Sequence, residues 1–148
     1  LMGDARAAQA AAGRAVEALE GADPFSGDDP AWIKHFDEAY LADELAHCHR
    51  DLGQAEAAAR RAEESLAKHP ESRARRRAIG YVLLATAQVQ QREVEQACHT
   101  GTKAVELLGS LRSNRGAEYL EDFQQRLEPF REEAVVREFG ARMELQAA

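Results

Sequence analysis

The chain has 148 residues with 26 acidic and 19 basic side chains, a formal net charge of −7. That length predicts one domain able to bury its own core, and the acidic balance argues against direct contact with nucleic acid, which needs a basic face to displace counterions. Aromatics make up only 6%, no apolar run nears the roughly 18 residues of a membrane span, and no basic segment leads into an apolar one as in a secretion signal, so a cytoplasmic all-α domain is expected.

The elements follow one scheme. Ala8, Ala12, Ala15, Val16 and Leu19 recur at 3–4 spacing and predict a helix ended by Gly21. The start Leu1-Met2-Gly3 runs straight into this pattern and reads as the cut edge of a longer protein. Residues Asp23 to Pro30 form a loop, and Asp29-Pro30 is a capping carboxylate followed by proline at the first helical position. A long helix is expected from Pro30 to Leu52, with Trp32 and Phe36 one turn apart on its apolar side. Gly53 breaks it. A second helix runs from Ala55 to Lys68 and closes at His69-Pro70. Helices over Arg73–Gln91 and Glu93–Leu108 repeat the pair, then Asn114–Leu127 and, after Pro129, Ala134–Leu145. Short loops make sequential helices antiparallel neighbours.

Residues 39–70 superpose in kind on residues 78–109, an offset of 39. Leu45-Ala46 falls on Leu84-Ala85, Ala58 on Ala97, Ala62 on Gly101, and Leu66 on Val105. Small residues recur where two helices cross closely, and larger ones fill the gaps between pairs. This 32-residue span, with Ala46, Gly53, Ala58, Ser65 and Pro70 in the first copy and Tyr81, Leu84, Ala85, Ala97 and Ala104 in the second, resembles the tetratricopeptide repeat, a 34-residue unit. It departs from that pattern at Arg92, where glycine is usual, and at Gly109, where proline is usual. The expected fold is an all-α, tetratricopeptide-like α-solenoid of antiparallel helix pairs, about seven helices in one domain. It comprises a half repeat over 4–20, repeats over 39–70 and 78–109, and divergent C-terminal helices over 114–146. The stretches Asp29–Ala39, Arg73–Ala78 and Ala134–Phe139 are similar to the C-terminal repeat region of actinobacterial Xre-type regulators. That resemblance implies a regulatory module of a transcriptional regulator whose helix-turn-helix domain lies outside this chain.

In solenoids of this kind the first helix of each pair lines the concave wall. Repeat positions 2, 5, 9, 12 and 13 then assign a groove to Tyr40, Asp43, His47, Arg50 and Asp51 in the first copy and Ile79, Val82, Thr86, Val89 and Gln90 in the second. The first half is charged and the second largely apolar. A protein or peptide with a basic end and an apolar anchor suits it, and reversing Asp43 and Arg50 together is expected to abolish binding with little effect on folding. The plainer alternative makes these positions ordinary exposed or inter-repeat residues. Asp43 and Asp51 have the wrong sign for capture of an acidic C-terminus.

Other clusters are weaker. In His47-Cys48-His49, neighbours on a helix point about 100° apart and cannot converge on one ion, so no metal is expected. Cys48 and Cys98 read as free thiols in a reducing compartment. Arg73, Arg75, Arg76 and Arg77 form a basic run, either a solvated face paired with Glu63, Glu64 or Glu71 or a contact for an acidic partner. No nucleophile, phosphate loop or acid/base pair points to an enzyme or a cofactor. The alternative to partner binding is a scaffold or homodimer formed through Tyr119, Phe123, Phe130 and Phe139.

Overall fold

The computed structural model describes residues 38–109 and 114–147 and six helical positions between 6 and 14. Much of the 4–20 half repeat, the loop from Asp23, the Asp29-Pro30 cap and the Trp32–Phe36 pair lie outside the described residues. Within them, regular structure is entirely helical. The helices are α1 (Glu38–Asp51), α2 (Ala55–Lys68), α3 (Ala74–Gln90), α4 (Val94–Leu108), α5 (Asn114–Leu127) and α6 (Ala134–Ala147). A 3₁₀ turn over Glu128–Phe130, opened by Pro129, separates the last two.

α1 packs against α2 and α3 against α4 as antiparallel pairs, whereas α5 and α6 pack chiefly on α3 and α4. Lys68 at the end of α2 meets Glu38 at the start of α1 at 2.7 Å. Both well-formed pairs turn by the same device. After α1, Gly53 N–H donates to Arg50 O at 3.0 Å and Gln54 N–H to His49 O at 2.9 Å. After α3, Arg92 N–H donates to Val89 O and Glu93 N–H to Gln88 O, both at 2.9 Å. This is a Schellman closure, which places one residue in the left-handed region. Gly53 sits there at φ 70° and Arg92 at φ 63°. The 39-residue offset read from the sequence is therefore a repeat of backbone geometry. Arg92, the departure from the usual glycine, adopts glycine's conformation.

The small residues do what their spacing predicts. Ala46, Ala58, Ala62, Ala85, Ala97 and Ala104 are all buried at helix crossings. Gly101, in register with Ala62, faces the ring of Phe123 so closely that a Cβ there would stand 2.7 Å from it.

The third pair is joined differently from the second. α3 rests mainly on α2 and also touches α1, whereas α5 lies on α3 and α6 on α4. Phe123, Leu127 and Phe139 enter one apolar cluster with Val82, Ala85, Val89, Ala97 and Val105. The Phe123 and Phe139 rings meet edge to face, with centroids 5.3 Å apart, an arrangement favoured by the ring quadrupoles. No described helix is long and apolar enough to cross a membrane.

Candidate functional site

The first helices of the pairs, α1, α3 and α5, lie side by side and present the face to which the groove was assigned. The structure brings its two halves together but covers most of them. Asp43, His47, Ile79, Val82, Thr86 and Val89 are buried, Tyr40, Arg50 and Gln90 are half-buried, and Asp51 is exposed. For the second half the reason is the placement of α5, whereas Asp43 is enclosed by α2 and α3. Tyr119 packs on the cluster of Ile79, Leu83 and Leu84, while Phe123 and Leu127 pack on that of Val82 and Val89.

Two polar constellations form on this face. In the first, Asp43 is wholly buried. It accepts from Ser65 Oγ of α2 at 3.3 Å and from Arg76 Nη1 of α3 at 3.0 Å, and His69 Nε2 lies 4.0 Å away. A buried carboxylate survives only when paired and hydrogen-bonded in this way. The expectation that Asp43 could be reversed without harm to folding gives way here, because a lysine would meet Arg76 inside the core. The basic run is likewise engaged. Arg77 donates to Leu66 O at 2.7 Å and His69 O at 3.0 Å, closing the C-terminus of α2. Arg73 and Arg76 stack on Tyr40, at 4.9 and 4.7 Å from the ring centroid. The partners observed include carbonyls, the Tyr40 and Tyr81 side chains, His69, Asp43 and Glu44.

In the second constellation α1 meets α5. His47 Nδ1 lies 2.8 Å from the Tyr119 hydroxyl. Arg50 stacks over the Tyr119 ring at 4.3 Å, and donates to Asp122 at 2.9 Å and to Asp51 at 2.9 Å. Burial, followed by the charge of Arg115, lowers the His47 pKa below the ordinary histidine value, against the opposing pull of Asp43, Glu44 and Asp51. For Asp122, burial acts to raise the pKa, but hydrogen bonds and charges from Arg126 and Arg50 outweigh it and hold the carboxyl below its usual value. Sequence reasoning missed Tyr119 and Asp122 as members of this site. Tyr119 was read as apolar contact surface, and nothing in the periodicity distinguishes that from a ring held between histidine and arginine.

Four buried polar atoms on α1 and α3 have no hydrogen-bond partner among the described residues: His47 Nε2, Thr86 Oγ1, Gln88 Oε1 and Gln90 Oε1. Thr86 occupies the register of His47 one repeat on. Such atoms are few in native proteins and each calls for an explanation.

The remaining candidates separate. Cys48 is exposed, while His49 accompanies Gln54 at 2.7 Å, so the three residues of His47-Cys48-His49 point apart. Cys98 is buried, and that burial, helped by the charge of Glu133, pushes its thiol up to about 11. Phe123 and Phe139 are already engaged in the core, leaving Tyr119 and Phe130 half-buried. A cleft of about 780 Å³ opens along α2, lined by residues including Arg60, Arg61 and Glu64, but Arg61 and Glu64 already pair at 2.8 Å.

Comparison with models of known protein families, with curated proteins and with solved structures finds no match.

Proposed function

We propose that the chain is a partner-binding helical-repeat module that holds a protein or peptide against its first helices and performs no chemistry of its own. The observation that carries this reading is that buried polar atoms of His47, Thr86 and Gln90, at positions assigned to the groove, have no hydrogen-bond partner among the described residues. A purely structural core gains nothing from them, since each costs about 1–3 kcal/mol if left unmade. A recognition wall uses them, because a ligand satisfies them on binding. The resemblance to Xre-type regulators extends the proposal to a regulatory role inside the cell, where differential affinity of the partner for two arrangements of the array would bias an attached DNA-binding domain.

The test is selection of helical peptides from a displayed library against the full chain, followed by retesting on Thr86→Val and Gln90→Ala. Peptides that lose at least tenfold in affinity on these variants support the face. Peptides that bind all three proteins equally place the site elsewhere. For the regulatory extension, the residues encoded upstream of Leu1 are decisive, with a helix-turn-helix pattern as the expected finding.

A further inference from the structure

α6 is held by one buried side chain, Phe139, in the cluster shared with α3, α4 and α5. Beside that anchor two clefts open between α6 and α4, of about 450 and 160 Å³. Val135, Glu138 and Arg142 line the larger, and Arg142 and Leu145 the smaller. Spaced three, four and three residues apart, these four share one side of the helix. Leu145 is the one exposed large apolar side chain among the described residues, at 79%. Glu138 and Arg142 stand four apart, the spacing at which Asp122 and Arg126 pair at 2.8 Å on α5. Neither forms an ion pair among the described residues. Exposed charges on α1 and α2 are by contrast taken up, as in Lys68 with Glu38 and Arg61 with Glu64.

The stripe is symmetric about the level of Gly140 in spacing and opposite in charge. Laid antiparallel against itself about a two-fold axis, it sets each Glu138 opposite Arg142 of the second copy and each Val135 opposite Leu145. Such a contact is self-complementary, with the same patch on both sides. We infer that this side of α6 is a self-association surface whose partner is a second copy of the chain. The order of charges commits the occupant. A uniformly acidic or basic partner meets one matching and one opposing charge, whereas a copy satisfies both. The formal net charge of −7 opposes contact between copies elsewhere, and the paired signs at α6 offset that repulsion locally. Exposed ion pairs add little affinity but fix the register; Leu145 entering the cleft at Val135 supplies the attraction. The surface differs from the aromatic one expected from the sequence, because Phe123 and Phe139 are engaged in the core. It uses no residue of the inner face, so this inference and the binding role proposed above fail separately.

The experiment is sedimentation equilibrium of the full chain over a series reaching about 1 mM, where millimolar dissociation is still detected. The wild type is expected to pass from monomer to dimer without larger species, since a two-fold contact closes on itself. Leu145→Ser is expected to raise the dissociation constant by about tenfold or more, as two leucines lose their burial. Arg142→Glu and Glu138→Arg are each expected to abolish the dimer by setting like charges opposite one another. An equimolar mixture of those two variants is expected to restore it as a heterodimer. All three side chains are exposed, so circular dichroism should show unchanged helix content. A monomer at every concentration overturns the inference. So does association that Leu145→Ser leaves unchanged, or a mixture of the charge variants that stays monomeric.

Discussion

The junction between the first and second helix pairs and the junction between the second and third are fastened by opposite chemistry. At the first, a wholly buried Asp43 holds Arg76 and Ser65 across three helices, beside a small cluster of Ala46, Ala62, Ile79, Leu83 and Leu84. At the second, Phe123, Leu127 and Phe139 fill the space against Gly101 and its neighbours. Aromatic burial stabilises in proportion to area removed from water, at about 25 cal/mol per Å². A buried ion pair returns little net free energy because desolvation opposes the attraction, yet it penalises any arrangement that separates the charges. The second junction therefore rests on aromatic burial, whereas the first adds to its aliphatic cluster a buried charge that penalises mispairing.

The largest expected effect breaks the second junction. Phe123→Ala should cost about 3–5 kcal/mol in urea unfolding, the usual range for an aromatic lost from a packed core; a loss under about 1 kcal/mol would mean that the Phe123–Phe139 contact is dispensable. At the first junction, Arg76→Ala should cost about 3 kcal/mol, because it leaves the Asp43 carboxylate buried without its cation. Asp43→Asn should cost less, since the orphaned guanidinium is already partly exposed. The reverse order would contradict the assignment of Asp43 as the buried charge. Gly101→Val probes the second junction from the other side and should cost about 1–3 kcal/mol by overfilling it; the helix propensity gained over glycine offsets only part of that.

Acid sharpens the comparison where α5 reaches back to α1. The folded-state pKa of His47 is depressed, so the unfolded chain binds its proton more readily. The stability held by neutral His47 is fully present above the unfolded value near 6.5 and is lost as pH falls below it, at no more than about 1.4 kcal/mol per pH unit. His47→Gln should flatten that part of the profile between pH 7 and 5.5. An unchanged slope would assign the acid sensitivity to other groups. The smallest effect is a gain. Arg92→Gly should raise stability by about 0.5–1 kcal/mol by relieving the left-handed strain of a side-chain-bearing residue. Gly53→Ala, at the matching turn, should lower it by a similar amount.

Most of the helical scheme was legible beforehand because its causes are local. Ala55–Lys68 and Asn114–Leu127 are observed with the bounds read from their periodicity and breakers, and the other described helices end within a residue or two of expectation. The start of α1 is the exception, since residues 30–37 lie outside the described set. The site was legible only in part. Its first-helix residues are adjacent, as the repeat offset implies, because equivalent positions in stacked pairs must share a face. Their burial was illegible, because it depends on where a third pair lands, and no motif within 114–146 encodes a docking direction.

By itself, the sequence determined the helices, their pairing, the 39-residue repeat and the positions that had to stay small. These follow from hydrophobic period, turn geometry and side-chain volume, which act within a few residues of one another. Only the tertiary structure decided that Arg92 takes up glycine's backbone, that Asp43 is a core ion pair, and that Tyr119 and Asp122 reach back to His47 and Arg50. Those outcomes join groups 33 and 72 positions apart in the case of Asp43–Arg76 and Arg50–Asp122. At such separations the packing of whole helices, rather than any local pattern, chooses which side chains meet.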